Sequence, residues 1–483
     1  MKRRLVIVTE IISPYRIPLF NTLAQDTGVD VHVIFLGETD PNLRQWQVYK
    51  QEIRFSFQVL PSWRKRIGRY NALLNSGITK ALDRAAPEVI LCGGYSYVAS
   101  WQTLFWAGRH RVPFLLWSES NLQDLRRSHA LTEFLKKTFL HRCSGFVVPG
   151  RSALEYIRAH GAKENSIFVA PNAVDNEFFA RASENARRNE GALRKELGLP
   201  SRYFVFVGRL VREKGVFELF RAYASLNQQL RHEVGLVFVG DGDSRSLLEK
   251  EAASIAGTIR FAGFAQRELL GTYYGLADAL VLPTYTDTWG MVVNEAMACG
   301  LPVIVSRAAG CAADLIRENW NGRFVTPKDV SGLESAMRVL AEQTELRTTM
   351  GSNSAKHIRS YSPQAWSDGV IGAVQQILGT PPCAVAAPIP TATPITMPNP
   401  AIRAKLDPIR PASNTPVSTT TVASPAPSRP VASLTRLSPP RIAVTRRGTR
   451  SRSSTAWTAT VSVGETMAPS RKQAAHGRAG SAQ

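Results

Sequence analysis

Along the first 379 residues, short apolar runs alternate with longer stretches in which apolar positions return every three or four residues. In the first half the runs lie at 5–8, 31–35, 89–92, 114–117, 146–148 and 167–170. In the second they lie at 204–207, 235–239, 258–261, 279–282, 302–305 and 323–325. Most are β-branched, apolar throughout and bounded by Gly, Pro or polar residues, as strands buried on both faces are. Between many of them the period is helical; in 244–256, Leu247, Leu248, Ala252 and Ile255 fall on one side. Strand–helix alternation predicts parallel sheets with right-handed crossovers. Twelve strands exceed the usual single sheet, so two sheets of about six are expected. The polar, charged stretch 172–201 is the natural break. The expected architecture is α/β, with two Rossmann-like, doubly wound domains, 1–175 and 176–362, facing a cleft. Ligands of such sheets bind beyond the carboxyl ends of the strands, which puts the site in that cleft.

Composition changes at residue 380. The stretch 380–483 holds 16 of the 29 prolines and 13 Lys or Arg against 2 Asp or Glu, and so +11 of the chain's +21. It has no periodicity, and a tail rich in Pro, Ser, Thr and Arg is expected to be disordered. About half of the basic charge therefore says nothing about the folded part. No RNP, KH or helix-turn-helix pattern appears, so no nucleic-acid partner is expected. The five cysteines, Cys92, Cys143, Cys299, Cys311 and Cys383, are odd in number and form no CxxC pair. That argues against a disulfide framework and a structural zinc site. The basic start Met1-Lys2-Arg3-Arg4 is followed by too short an apolar run for a leader, and no run approaches the ~18 residues that span a bilayer. The expected setting is cytoplasmic, soluble or peripheral at the inner face of the cytoplasmic membrane.

Two segments carry chemistry. VGRLVREKG (207–215) begins at a strand end. Gly208 lets backbone approach a ligand, and Arg209 and Lys214 place two cations before the helix predicted at 216–225. Two cations at the positive end of a helix suit a diphosphate; a solvated basic turn is the competing reading. The GxxxxGK[ST] spacing of a Walker loop is absent. In PTYTDTWGMVVNEAMACGLPVIVS (283–306) a strand ends at Pro283 and a helix follows from Met291. The amides of Gly290, Met291 and Val292 open that helix and can bind phosphate. Asp287 and Glu295 flank the same helix start. Carboxylates repel phosphate but accept hydrogen bonds from sugar and ribose hydroxyls, so the pattern points to a nucleotide sugar rather than a plain nucleotide. The competing roles are a helix-dipole partner for Glu295 and a loop-shaping one for Asp287.

Together these segments resemble the retaining GT-B glycosyltransferases of family four, the glycosyl transferases group 1. The matching features are the GRLVREKG turn, the spacing of Asp287 and Glu295 before ACGLPVI, VAPNAVD (169–175), which is similar to the family's PNGVD hinge, and GCAADLI (310–316) followed by NGRFV (321–325). Asp287 stands where the family usually has Glu. The resemblance implies that Arg209 and Lys214 bind the donor diphosphate, Asp287 the hydroxyls of the transferred sugar and Glu295 the ribose, with Asn172 of the hinge motif in the donor-binding set. It further implies transfer of a UDP- or GDP-linked hexose to a glycan or lipid-linked glycan with retention, in polysaccharide or glycoconjugate synthesis, with no metal or other cofactor. The helical segment 363–379 resembles the family's last helix, which crosses back to the first domain.

The first half should hold the acceptor. Ser13-Pro14-Tyr15-Arg16 stands where the family often has a Gly-rich loop. CGGYSY (92–97) offers two glycines to a ligand, and WSESN (117–121) puts Glu119 at a strand end, as a site residue or as a cap for the next helix. Arg64-Lys65-Arg66 with Arg69, Arg126-Arg127 and Lys136-Lys137 interleave with Trp63, Phe134 and Phe139. Such a pattern suits peripheral contact with anionic lipid, or ordinary solvated helix faces. The literal DxD in VGDGD (239–243) sits where the family has a structural Gly-rich turn, so no metal is expected there, and Arg245 breaks the GxGxxG that begins in it. Two alternatives remain: a nucleotide-sugar 2-epimerase, which needs convergent acid and base groups across the cleft, and a non-catalytic nucleotide-sugar-binding protein.

Overall fold

Each of the twelve apolar runs forms a strand, and the helices between them carry the chain back so that neighbouring strands of each sheet run parallel. The computed structural model describes residues 2–40, 45–67, 70–122 and 130–379; the tail expected to be disordered lies outside them. The first half contains β1 (Arg3–Thr9), β2 (Val29–Phe35), β3 (Ser56–Val59), β4 (Ser62–Ile67), β5 (Tyr70–Asn75), β6 (Val89–Gly93), β7 (Phe114–Trp117), β8 (Gly145–Val148) and β9 (Ile167–Val169). Seven of these make one sheet, ordered β3-β2-β1-β6-β7-β8-β9, and β4 pairs with β5 as an antiparallel hairpin. The second half contains β10 (Tyr203–Val207), β11 (Gly235–Val239), β12 (Ile259–Gly263), β13 (Ala279–Leu282), β14 (Val303–Ser306) and β15 (Gly322–Val325), ordered β12-β11-β10-β13-β14-β15. The strand order reverses beside β1 and beside β10. Such a reversal opens a crevice at the carboxyl ends of the strands.

The runs become strands because both faces of each sheet are covered. Every residue of β10 (YFVFV) and β11 (GLVFV) is buried. In β1, alternate residues feed opposite faces: Leu5 and Ile7 join the cluster with Phe20 and Trp117, while Val6 and Val8 join the one with Leu116 and Phe139. The strands missed from sequence are those that lack this signature. The sheet-edge strand β3 (SFQV) exposes half its residues, and β4 (SWRKRI) is mostly polar. The stretch 172–201 is not a plain linker either: helices Asn176–Arg188 and Glu190–Leu197 occupy most of it. The helix expected over 244–256 is shorter, Arg245–Ala252, and Leu247 is exposed while Leu248 is buried.

The last helix, Pro363–Ile377, begins with Ser362 accepting from the Ala365 amide at 3.2 Å and with proline in its first turn. It packs onto the first sheet. Trp366 is fully buried, its ring 5.6 Å from Phe20 and 5.1 Å from Trp117. Gly369 allows the close approach, since a Cβ there would lie 2.4 Å from the Val169 carbonyl oxygen. Cys92, Cys143, Cys299 and Cys311 are free, and Cys383 lies outside the described residues. Among the described residues no helix is long and apolar enough to cross a membrane.

Candidate functional site

The two second-half motifs fold as one unit. β10 ends at Val207 and the chain turns at Gly208, where φ is +150°. The VGDGD turn packs directly beneath: Gly208 N donates to Val239 O and Leu210 N to Asp241 O, each at 2.9 Å. A Cβ on Gly240 would lie 1.9 Å from the Gly208 carbonyl oxygen, so this glycine is required by backbone packing. Gly215 (φ +70°) then seats the REK turn on the next motif, because a Cβ there would lie 2.1 Å from the Pro283 carbonyl oxygen. Tyr285 N completes the junction by donating to Glu213 O at 2.9 Å.

Beyond the carboxyl ends of β10 and β13 lies a cavity of about 220 Å³. The second half lines it with Gly208, Lys214, Asp287, Gly290, Met291 and Val292, and the first half with Tyr15, Trp46 and Glu119; Asn172 lines it from the hinge. Gly290 (φ +101°) precedes helix Met291–Ala298. The opening amides of a helix lack intrahelical acceptors, and here the residues that carry them border the cavity, bringing a positive dipole end to it.

Charges in the cavity come in pairs. Lys214 Nζ lies 2.5 Å from Asp287 Oδ2. Glu119 Oε1 accepts from Arg16 Nη2 at 3.1 Å and from Asn172 Nδ2 at 3.0 Å, and the Arg16 guanidinium stacks over Trp117 at 3.8 Å. Glu119 is thus held in the cavity wall. The rigid support continues behind it: Asn294 Nδ2 donates to Asn172 O at 3.0 Å, and Trp289 Nε1 donates to Asn294 Oδ1 at 2.8 Å.

The structure places some of the expected site residues outside the cavity lining. Arg209 is not among the cavity-lining residues: it is exposed, and its guanidinium makes no hydrogen bond or ion pair among the described residues. Glu295 does not line the cavity either. Its carboxyl accepts from the Tyr274 hydroxyl at 2.7 Å, and burial pushes its pKa up to about 7 against the lowering effect of that bond. Of the glycines of CGGYSY, Gly93 packs against Thr9, where a Cβ would lie 3.2 Å from Oγ1, whereas Gly94 takes φ +90° with open space beside it. Of the basic clusters, Arg64 is mostly buried between Glu10 (3.2 Å) and Asp40 (2.8 Å), and Lys136 is bonded to Glu133 at 2.8 Å. Phe139 is fully buried, whereas Trp63 and Phe134 are exposed. Arg69, Arg126 and Arg127 lie outside the described residues, as does the side chain of Arg66.

Other functional contacts were not anticipated. Asn121 Nδ2 donates to Asp287 O at 2.9 Å, tying the first half to the donor loop. Asp314 accepts from Arg151 N at 3.2 and 3.1 Å through its two oxygens, and burial pushes its pKa up to about 6. It thereby caps helix Arg151–Ala159, whose own N-cap is Gly150. A helix starting after a glycine, with no polar cap of its own, was the available sign that the cap comes from elsewhere. A further contact joins the two halves: Tyr49 Oη donates to Glu268 Oε2 at 2.8 Å and Arg267 stacks over Tyr49 at 3.8 Å.

Comparison with known proteins agrees with this organisation. Residues 19–178 match the family described as Glycosyltransferase Family 4, and residues 190–357 match Glycosyl transferases group 1. A D-inositol 3-phosphate glycosyltransferase of Corynebacterium jeikeium is 31% identical over 226 residues, 45% of this chain and 53% of that protein. A sulfoquinovosyl transferase of Arabidopsis thaliana is 30% identical over 233 residues, 47% of this chain and 44% of that protein. The chain spans about half the length of the curated relatives it matches. HepE of Anabaena in complex with UDP superposes with a TM-score of 0.60 at 18% identity, over 78% of this chain and 100% of that one. Sucrose-phosphate synthase of Thermosynechococcus elongatus does so with a TM-score of 0.59 at 20% identity, over 78% and 100%. At these identities the structural likeness is one of fold. One family match falls on each sheet-bearing half, in chain order, and the cavity opens where the halves meet: the chain belongs to the family-four, group 1 glycosyltransferases, with the GT-B architecture.

Proposed function

We propose that the chain transfers a hexose from a nucleoside-diphosphate sugar to a glycan or lipid-linked glycan, with retention of configuration. The observation that carries this reading is the gathering of Gly208, Lys214, Asp287 and the start of helix Met291–Ala298 around one cavity. Lys214 and the positive helix end match a diphosphate. Arg209, exposed beside Gly208, adds a second cation as the donor enters. Asp287 accepts from hydroxyls of the transferred sugar, and Glu295, whose Oε2 is held by the Tyr274 hydroxyl, accepts from the ribose through its other carboxyl oxygen. The acceptor hydroxyl enters from the side of Glu119 and attacks the anomeric carbon from the face the diphosphate leaves. The sugar–phosphate bond breaks as the new glycosidic bond forms, and a departing phosphate oxygen takes the hydroxyl proton. Catalysis then rests on positioning and on stabilising the diphosphate charge.

Uridine is the first base to test, because UDP is bound in the HepE structures. Melting of the full chain is followed with UDP, GDP, ADP, CMP and their common sugar conjugates. A rise with one nucleoside diphosphate and its sugar supports the reading. No rise with any of them, in protein shown to be folded, removes it in favour of a non-catalytic role. A lipid-linked acceptor would bring the first half to a membrane, where exposed Trp63, Phe105, Phe134 and Leu135 and the exposed cation Lys137 suit an anionic surface. Pelleting with anionic vesicles at low and high salt checks this, and the absence of salt-sensitive binding excludes it.

A further inference from the structure

We infer that Asp287 is an internal competitor for the donor's diphosphate, and that this competition makes the cleft favour a nucleotide sugar over the bare nucleoside diphosphate. The inference rests on the donor-cleft reading above. Its basis is the 2.5 Å contact between Lys214 Nζ and Asp287 Oδ2 inside the cavity, with the two side chains only 19% and 18% exposed. The cation suited to phosphate and the carboxylate suited to sugar hydroxyls therefore satisfy each other.

Neither backbone is free to follow a ligand. Lys214 sits in a turn closed by Lys214 N to Val211 O at 3.0 Å, and Gly215 beside it is wedged against the Pro283 carbonyl. The carbonyl of Asp287 accepts from Gly310 N at 3.0 Å and from Asn121 Nδ2 at 2.9 Å. Exchange of partners must come from side-chain rotation. The lysine has a long flexible stem, whereas the aspartate is short and stays near the loop.

A nucleoside diphosphate alone would draw Lys214 away. It would leave a partly buried carboxylate unpaired beside phosphate oxygens of the same sign. A nucleotide sugar brings hydroxyls that donate to Asp287 as it loses the lysine. Once the sugar has been transferred, the remaining diphosphate faces the bare carboxylate again, and re-formation of the Lys214–Asp287 pair accompanies its departure. Asp287 thus sets the preference between donor and spent donor.

The test is calorimetric titration of the full chain with UDP and UDP-glucose, and with GDP and GDP-mannose as a second pair. Wild type is compared with Asp287→Asn, which keeps size and removes charge, and with Asp287→Ala, which serves if the amide disturbs the loop. The expected result is a gain of about tenfold in affinity for the nucleoside diphosphate, the order of one charge-assisted contact released. The nucleotide sugar should gain less or lose affinity, so that the ratio of the two falls. Lys214→Met should weaken both ligands. Unchanged or weaker diphosphate binding in both Asp287 variants, with wild type binding normally, overturns the inference. Wild type that binds no nucleotide at all defeats the donor-cleft reading instead.

Discussion

The Tyr274 hydroxyl donates to Glu295 Oε2 at 2.7 Å, one turn into the helix whose start borders the cavity. Burial dominates there and holds the Glu295 carboxyl at about 7, above its ordinary 4.5. The folded chain keeps a proton on Glu295 over a range in which the unfolded chain has lost it. Its contribution to stability is therefore complete below the ordinary value and is lost as pH rises through 7. Glu295→Gln removes that loss, so its melting temperature should gain on wild type between about pH 5 and about pH 8. Tyr274→Phe lacks the donor to the ionised form and should fall furthest behind at the higher pH. Scanning calorimetry at both values checks the pair, and differences that do not vary with pH contradict this electrostatic account.

Lys214→Ala and Arg209→Ala should each reduce turnover by about 10²–10³, the usual loss when a group stabilising developing charge is removed. The two differ in position: Lys214 lines the cavity and Arg209 does not. Lys214→Ala should lower kcat and also raise the donor KM, whereas Arg209→Ala should act more on KM than on kcat. Steady-state kinetics decide, and near-normal activity in both variants ends the assignment of this turn to the donor.

Gly240→Ala should destabilise the chain by about 2–3 kcal/mol or more, through positive φ and overpacking. The added methyl would fall 1.9 Å from the Gly208 carbonyl oxygen, at φ +136°. Asp243→Asn should leave turnover within about twofold, as surface changes usually do. Urea titration checks the first and activity with and without EDTA the second; activity lost in EDTA and restored by Mn²⁺ would contradict the reading of VGDGD as a structural turn.

Trp366→Ala should cost about 3–5 kcal/mol, the usual range for a buried aromatic truncated to alanine. Because the ring packs on Phe20 and Trp117, the loss should appear in the first sheet. Hydrogen exchange resolved by segment checks this: β1 and β7 should lose protection well before β10 and β11.

The sheets were legible because most of their strands contain a short run that is apolar on both faces, as in YFVFV of β10. The edge strand β3 and the hairpin were not, since the pattern of a strand weakens where one face meets water. Within the site, Gly208, Lys214, Asp287, Gly290 and Glu119 could be read from their positions at strand ends, and the structure gathers them around one cavity. What could not be read is which charge answers which. Lys214 and Asp287 lie 73 residues apart in sequence, and nothing local to either says that they touch. Arg16 on Glu119 and Asp314 on Arg151 are of the same kind, contacts created by tertiary packing between segments with no shared periodicity.

The placement of Trp366 bears on how the chain is made. Synthesis proceeds from the N-terminus, and domains commonly fold as they emerge from the ribosome. Here the first sheet leaves the ribosome without the last helix, whose Trp366, Val370, Ala373 and Val374 complete the cluster around Phe20 and Trp117 after every strand of the second sheet has already been produced. The second sheet can close on its own residues as it appears. The older half of the nascent chain must wait for the younger one to finish, and in that interval the unfinished half exposes the apolar surface a chaperone recognises.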